Sequence, residues 1–284
     1  MSETIGQGLS ANEWSGDQGR IWLANLARFE GMITQVGAAL VKHAGFHPGE
    51  NVLDLGCGAG PTTTGIARSV SPTGCVTGLD ISRELIDYAG VRAAQGTQSR
   101  IYWVCADAAT TIPATAPYDR IFSRFGSMFF DDAYAGFRNI RKMIKPGGRM
   151  DLAVWASPQD NEWTRLIAAV AAKHLPDMPR PDPRAPGPFA FGDPAYLTDV
   201  LEKTDFGRIG FEPFETRLAI GGVGATPEEA ADFLISSTHM GRMLKEAGPQ
   251  AVADLAAAFV PYHMPGKGVL IGAKIWIVTA WAAC

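Results

Sequence analysis

The chain has 284 residues, of which 46% are hydrophobic and 19% charged, and its formal net charge is −4. This composition supplies enough apolar side chains for a folded core and excludes a largely disordered chain. The charge is spread without a basic block, which argues against a nucleic-acid partner.

The first residues lack the basic and apolar segments of a secretory signal, and no apolar run reaches the length of a membrane span. The four cysteines show no C-x-x-C spacing, which is typical of reduced thiols. We therefore expect a soluble, cytoplasmic protein that has neither a membrane partner nor a metal site.

Apolar residues at helical spacing from Arg20 to Ala44 predict one long or broken amphipathic helix. After it, short apolar runs alternate with helical segments. The predicted strands are Asn51–Leu55, Cys75–Asp80, Ile101–Cys105, Tyr118–Ser123 and Arg149–Trp155, and the predicted helices are Pro61–Val70, Ser82–Ala94 and Asp132–Ile144. Strands separated by single helices pair in parallel through right-handed crossovers. A turn over residues 145–148 should precede the fifth strand.

Beyond Trp155 a helix is expected over 161–174, followed by seven prolines between Pro176 and Pro194. Such proline density favours an extended segment, which serves either as a connector or as a lid. Capping residues before proline, at Asp193 and Thr226, predict two further helices. Alternating residues predict strands over 206–220 and 274–281, with a helical insertion over 226–261 between them. The whole pattern indicates an α/β fold with a doubly wound, mostly parallel sheet of seven strands and helical lid insertions.

The stretch NVLDLGCGAGP, residues 51–61, carries three glycines in five positions. Glycines at this density mark unusual dihedrals or a ligand that lies directly on the main chain. Ligands of an open parallel sheet bind beyond the carboxyl ends of its strands, and Asp80, Asp107, Ser123 and Arg124 follow other strands at that edge. Asp80 stands 24 residues after Gly56, which suits a carboxylate that binds ribose hydroxyls, although it would also serve as a helix cap.

Two ribose-bearing cofactors compete for this loop. A nicotinamide dinucleotide needs G-x-G-x-x-G, whereas these glycines read G-x-G-x-G and follow Asp54, an acid that would repel a pyrophosphate. S-adenosylmethionine carries a positive amino group and a positive sulfonium, which nearby acids attract. It is the favoured cofactor, and an NAD-dependent oxidoreductase and a non-catalytic cofactor-binding partner subunit remain as alternatives.

The motifs VLDLGCGAG, TGLDIS, ADA, YDRIFSRFG and KPGGR occur in this order. Together they resemble the class I S-adenosylmethionine-dependent methyltransferases, in particular the small-molecule enzymes of the ubiquinone-biosynthesis or methyltransferase type 11 group. The resemblance covers about residues 51–155. It implies a Rossmann-like methyltransferase fold, in which an antiparallel last strand is inserted into the sheet, and S-adenosylhomocysteine as the product.

The same resemblance assigns the site. The residues expected at the methionine portion of the cofactor are Asp54, Gly56 and Gly58, and Asp80 would hold the ribose. Ile81, Asp107 and Ala108 would contact the adenine, and Ser123 and Arg124 would lie near the methionine end and the acceptor. Cys57 sits between two of the glycines, where a small packed residue is a more natural reading than a nucleophile.

Methyl transfer depends mainly on alignment of the acceptor, so few catalytic side chains are obligatory. A phenol or alcohol acceptor needs a base, and His239, in the insertion, is the candidate. The apolar residues expected to wall the pocket are Phe125, Met128, Phe129, Phe130, Trp155, Trp163, Phe189, Phe191, Met240 and Met243. They favour a small, hydrophobic or aromatic acceptor that is methylated on oxygen or nitrogen.

The expected organisation has three parts. Residues 1–50 form an N-terminal helical lid, residues 51–155 the cofactor-binding core, and residues 156–284 complete the sheet. Acceptor-binding insertions are expected at about 157–195 and 225–262. A homodimer is compatible with the sequence.

Overall fold

The structure, a computed structural model, describes residues 11–94, 100–177 and 182–284. Its helices are α1 (Ala11–Trp14), α2 (Asp17–Ala24), α3 (Leu26–Ala44), α4 (Pro61–Val70), α5 (Arg83–Ala94), α6 (Ala133–Met143), α7 (Glu162–His174), α8 (Pro194–Glu202), α9 (Pro227–Ser237), α10 (His239–Glu246) and α11 (Pro249–Phe259). Its strands are β1 (Asn51–Leu55), β2 (Cys75–Asp80), β3 (Ile101–Cys105), β4 (Tyr118–Arg124), β5 (Ile144–Trp155), β6 (Phe206–Ile220), β7 (His263–Met264) and β8 (Gly268–Ala282). None of these described helices is long and apolar enough to cross a membrane.

The strands form one sheet in the order β3-β2-β1-β4-β5-β8-β6. Strands β1 to β5 pair in parallel, and β8 runs antiparallel between β5 and β6. The doubly wound α/β prediction and the inserted antiparallel strand are therefore confirmed. The strand order reverses between β1 and β4, so the carboxyl ends of these two strands border the crevice where such sheets bind ligands.

The predicted number of seven strands is wrong, because the described residues form eight. The additional strand is β7, a two-residue strand that pairs with β8. It forms because the chain turns tightly at Gly266, which has φ +73°, and Lys267 N donates to Met264 O over 2.9 Å.

Several predicted boundaries change in the structure. The helix predicted over 20–44 is broken at Asn25, whose Nδ2 donates to Ile21 O over 3.0 Å, so α2 and α3 are separate helices. The turn predicted over 145–148 lies within β5, where the pairing with β4 shifts register. Strand β8 begins six residues earlier than predicted, because residues 269–273 pair with 216–220 of β6.

The proline-rich segment is not extended where the structure describes it; residues 178–181 lie outside the described residues. Residues 182–192 form successive turns. Phe191 within them is 1% exposed, and its ring centroid lies 5.7 Å from that of Phe137 in α6. Burial of aromatic rings therefore outweighs the extended preference of proline here.

The predicted insertion is helical and consists of α9, α10 and α11. Thr226 and Glu229 form the expected capping box at the start of α9, with Glu229 N donating to Thr226 Oγ1 and Thr226 N donating to Glu229 Oε2. At the start of α8, Asp193 accepts a hydrogen bond from Ala195 N, as its position before a proline predicted. Both caps fix the residues at which these helices begin.

Candidate active site

The three glycines of the turn after β1 differ in why a side chain is absent there. Gly56, Gly58 and Gly60 all have positive φ values, +67°, +56° and +74°. A Cβ at Gly56 would lie 2.6 Å from Gly126 Cα, and a Cβ at Gly60 would overlap the ring of Trp103. At Gly58, however, no other atom lies within 4 Å of the Cβ position among the described residues. Packing within the protein therefore explains the outer two glycines, whereas Gly58 leaves main chain facing open space.

Asp80 ties the end of β2 to this turn. Its Oδ2 accepts a hydrogen bond from Gly58 N over 2.8 Å, and its Oδ1 accepts one from Ser82 N over 2.9 Å. Helix α5 is capped by Ser82, whose Oγ accepts from Leu85 N, so capping does not account for Asp80. Burial raises the pKa of Asp80, while the backbone N–H groups of Ser82, Gly58 and Ile81 oppose the rise. Each carboxylate oxygen keeps a lone pair that ribose hydroxyls can use.

Asp54, at the carboxyl end of β1, is 1% exposed. Its Oδ2 accepts hydrogen bonds from Thr62 Oγ1 over 2.8 Å and from Thr63 Oγ1 over 2.6 Å. Burial raises the pKa of Asp54, and the two hydroxyls and the charge of Arg124 oppose the rise. The sequence reasoning missed both threonines, although two hydroxyl residues directly after Pro61 were a usable signal.

The end of β4 lies directly against the glycine turn. Ser123 is fully buried and its Oγ donates to Leu55 O over 2.8 Å, which holds β4 to β1. Gly126 is required for this approach, since a Cβ there would lie 2.6 Å from Leu55 O and 2.7 Å from Gly56 Cα. Arg124 follows Ser123, and its Nε is buried without a hydrogen-bond partner among the described residues. Burial lowers the pKa of Arg124, whereas Asp54 and Glu30 raise it.

The loop after β3 is held beside the end of β2. Ala106 N donates to Asp80 O over 3.0 Å, and Cys105 Sγ lies 3.5 Å from Ile81 O. Asp107 Oδ1 accepts a hydrogen bond from Ala109 N over 2.8 Å. The loop that carries Asp107 and Ala108 therefore starts beside Asp80 and Ile81, and the adenine contacts expected of these residues stay a prediction.

A residue that the sequence reasoning missed, Asn139 of α6, fixes the same loop. Its Nδ2 donates to Ala108 O over 2.9 Å and to Thr111 O over 3.0 Å. The Asn139 side chain is 6% exposed, so this is a buried amide that binds two loop carbonyls. No local pattern could have indicated it, because the partners lie about 30 residues away in the chain.

The N-terminal helices cover the glycine turn. Leu26 at the start of α3 packs with Ala59 of the turn and Leu85 of α5, and Trp22 packs against this group. Glu30 of α3 forms an ion pair with Arg92 of α5, in which Nη1 and Oε1 are 2.5 Å apart. Within the described part of the predicted lid, residues 11–50, Trp22 and Leu26 thus reach the glycine turn, and the role of this segment as a lid stays a prediction.

An aromatic row runs from the end of β4. Phe125, a non-glycine residue with φ +64°, stacks on Trp155 of β5 with ring centroids 4.4 Å apart. Trp155 contacts Trp163 of α7 at 5.5 Å, and Trp163 contacts Phe189 at 5.8 Å. Of the apolar residues predicted to wall a pocket, Phe130 packs instead on Phe137 of α6, as Phe191 does. These two rings therefore pack on α6, and the pocket wall stays a prediction.

His239 is the exposed first residue of α10. It forms no hydrogen bond with the described residues, in contrast to His43, which bonds Thr279, and His174, which bonds Asp254. Helix α10 packs mainly on α9. The role of His239 as a base stays a prediction.

Cys57 is 3% exposed, and burial together with the charges of Asp80 and Asp54 raises the pKa of its thiol well above the ordinary value. A thiol is a poor nucleophile when its ionisation is suppressed in this way. Cys57 therefore acts as a small packed side chain between the glycines.

Comparisons with known proteins agree with this geometry. Residues 52–148 match a family described as a methyltransferase domain. The chain is 29% identical over 158 residues to aklanonic acid methyltransferase DauC of Streptomyces sp. (strain C5), which covers 52% of this chain and 70% of that protein. It is 30% identical over 124 residues to 2-phytyl-1,4-naphtoquinone methyltransferase of Trichormus variabilis, covering 43% and 54% of the two chains. The structure of the [4+2]-cyclase SpnF matches with a TM-score of 0.57 and 17% identity over 99% of both chains, which shows a shared fold.

Proposed function

We propose that this chain, whose residues 52–148 match a methyltransferase domain, is a class I S-adenosylmethionine-dependent methyltransferase that methylates oxygen or nitrogen of a small hydrophobic or aromatic acceptor. The observation that carries the proposal is the bare main chain at Gly58, whose N–H donates to Asp80 and which lies in the turn after β1, the strand that carries Asp54. Main chain without a side chain admits a flat nucleoside, and two acids beside it suit a positively charged ligand.

The residues present fit this cofactor. Asp80 would accept hydrogen bonds from the ribose hydroxyls while it keeps its bonds to Gly58 and Ser82. Ile81, Asp107 and Ala108 would border the adenine, and Asp54 would face the methionine portion. Ser123 and Arg124 would complete the methionine end. When bound, the cofactor supplies a methyl group activated by its positive sulfur.

In this proposal the protein accelerates the reaction by aligning the acceptor with the methyl group and by excluding water from the site. Residues 1–50 would act as the lid, 51–155 as the cofactor-binding core, and 156–284 as the completion of the sheet with its acceptor-binding insertions. The Glu30–Arg92 ion pair and the Leu26, Ala59 and Leu85 contacts would hold the lid down. Where the acceptor is a phenol or alcohol, His239 would remove its proton.

The acceptor class is supported by the aromatic row of Phe125, Trp155, Trp163 and Phe189. Two polar atoms in the same region, Ser127 Oγ and Trp163 Nε1, are buried without hydrogen-bond partners among the described residues. Buried polar groups are usually satisfied, so an acceptor with a polar oxygen on an apolar frame would fit. By their names, the two relatives act on aklanonic acid and on a phytyl naphthoquinone.

The proposal is tested by incubating the purified protein with S-adenosylmethionine and a panel of phenols, quinols, carboxylic acids and amines. Mass spectrometry would follow S-adenosylhomocysteine and the methylated product. We expect turnover with an apolar or aromatic member of the panel and less with small polar ones. Turnover confined to polar, aliphatic amines would contradict the proposed acceptor class. Sedimentation of the same preparation tests the proposed homodimer.

A further inference from the structure

Gln18 of α2 is a buried amide that has no hydrogen-bond partner. The residue is 7% exposed, and its carboxamide forms no hydrogen bond with the described residues. Buried side-chain amides are usually paired, because an unpaired polar group loses its hydration without compensation. The Gln18 carboxamide therefore has an open hydrogen-bonding position that a ligand could fill.

A second unpaired group, the indole N–H of Trp14, lies on the same side of the N-terminal helices. Trp14 Nε1 is buried without a hydrogen-bond partner among the described residues. Its ring lies 5.7 Å, between centroids, from that of Trp22. Trp22 stands four residues after Gln18, so the two residues share one face of α2. The carboxamide and the indole N–H thus belong to one side of this helical segment.

This side of the segment spans the crevice at the carboxyl ends of the strands. Helix α2 contacts both α5, which follows β2, and α9 of the insertion. A Cβ at Gly19 would overlap Ser82 Oγ, so Gly19 packs directly on the start of α5, beside the expected ribose position. The ring of Trp14 lies 5.1 Å from that of Phe129, in the segment after β4. The segment therefore reaches from the ribose end of the crevice to the end where the acceptor is expected.

Gln18 lies toward the acceptor end of this span. Successive residues of a helix are rotated by about 100°, so Gln18 turns away from α5 when Gly19 faces Ser82. Near Phe129, Ser127 Oγ is also buried without a partner among the described residues. The apolar surroundings of these groups are typical of a ligand pocket, in which a few polar side chains fix the orientation of the ligand.

Resting on the proposed function, we propose that Gln18 and Trp14 bind the reacting oxygen of the acceptor, which is an aromatic hydroxyl group. The carboxamide offers one acceptor and two N–H donors, and the indole offers one donor. A phenolic hydroxyl can donate its hydrogen to Gln18 Oε1 and accept from Trp14 Nε1, which keeps its oxygen fixed for methylation. An aromatic amine fits less well, because its nitrogen is a weak acceptor and would leave the indole unpaired.

The test uses two probes, 2-naphthol and 2-methylnaphthalene, which share an aromatic frame and differ in the hydroxyl group. Calorimetry gives the affinity of each probe for protein saturated with S-adenosylhomocysteine, and the affinity of S-adenosylhomocysteine itself. The proteins are the wild type, Gln18→Leu, Trp14→Phe and the control Gln35→Leu. Gln35 is an exposed glutamine of α3 that binds Thr216, so its variant controls for the loss of an amide from the same helical segment.

We expect the wild type to prefer 2-naphthol. Gln18→Leu should weaken 2-naphthol binding by about 3- to 10-fold, the range for one lost hydrogen bond, without weakening 2-methylnaphthalene binding. Trp14→Phe keeps an aromatic ring and should show the same selective loss, which preserves the comparison if Gln18→Leu does not fold. Gln35→Leu should match the wild type.

The S-adenosylhomocysteine affinity separates this assignment from the proposed function. It should be the same in all four proteins, and its loss in Gln18→Leu would show that the carboxamide binds the cofactor instead. Retention of the 2-naphthol preference in Gln18→Leu and Trp14→Phe, or a wild type that binds S-adenosylhomocysteine but neither probe, would also overturn the assignment. A wild type that does not bind S-adenosylhomocysteine would instead refute the proposed function.

Discussion

Replacement of Gly58 by alanine should weaken ligand binding while it lowers the stability of the fold only slightly. The new Cβ would meet no other atom within 4 Å among the described residues, so the cost to the fold comes only from φ +56°. A left-handed dihedral costs a non-glycine residue about 1–2 kcal/mol, which lowers Tm by a few degrees in a chain of this size. The added methyl would occupy the face on which the nucleoside is proposed to lie. A misfit of this size costs about 1–3 kcal/mol, which corresponds to roughly 5- to 150-fold in the affinity for S-adenosylhomocysteine.

Two matched variants, Gly56→Ala and Gly65→Ala, serve as controls for Gly58→Ala. Gly56→Ala carries the same dihedral cost, but its Cβ would also lie 2.6 Å from Gly126 Cα, so we expect a further loss of about 1–3 kcal/mol of stability. Gly65→Ala lies in α4, where alanine favours the helix and no other described atom is within 4 Å of the Cβ position. Thermal unfolding and calorimetry measure both quantities for all three variants. Wild-type affinity in a folded Gly58→Ala protein would refute the reasoning.

Three further predictions follow from the site. Burial raises the pKa of Asp54 above 3.8, so its protonated form contributes stability that is lost as the pH rises through the raised pKa. If binding needs the Asp54 carboxylate ionised, the affinity for S-adenosylhomocysteine should increase as the pH rises over that window. Thr63→Val removes a hydrogen bond that lowers the pKa of Asp54, so titrations should show this increase in affinity at higher pH. Asp80→Asn places an amide N–H donor against a backbone N–H donor, so we expect denaturant unfolding to show a loss of about 1–2 kcal/mol in stability. The variant should also bind S-adenosylhomocysteine at least tenfold more weakly. Unchanged affinity would exclude the ribose contact. Glu30→Gln breaks a partly exposed pair with Arg92, so stability should fall by less than about 1 kcal/mol while stopped-flow fluorescence shows faster release of S-adenosylhomocysteine. An unchanged release rate would show that this pair does not hold the lid.

The sequence predicted those elements whose signals are local. The bounds of β1, β2 and β3 match the prediction, because each is a short apolar run between turn residues. The early start of β8 was missed, since Gly268 and Gly272 interrupt the apolar pattern and only pairing with β6 makes these residues a strand.

For the site as well, the residues with a local sequence signal were predicted and those that depend on the fold were not. The glycines and acids at strand ends were found, because a parallel sheet brings such ends to one edge. The groups that position them were not found. Gly126 and Trp103 pack on the glycine turn only in the folded chain, and the missing hydrogen-bond partner of Arg124 Nε likewise becomes visible only in the fold.

The most direct measurement is a crystal structure of the protein with S-adenosylhomocysteine. We predict electron density for the ligand across Gly58, with its ribose hydroxyls on Asp80, its adenine beside Ile81 and its amino acid between Asp54 and Arg124. Density for the ligand at another part of the surface, or a nucleoside oriented with its adenine at Arg124, would contradict this account.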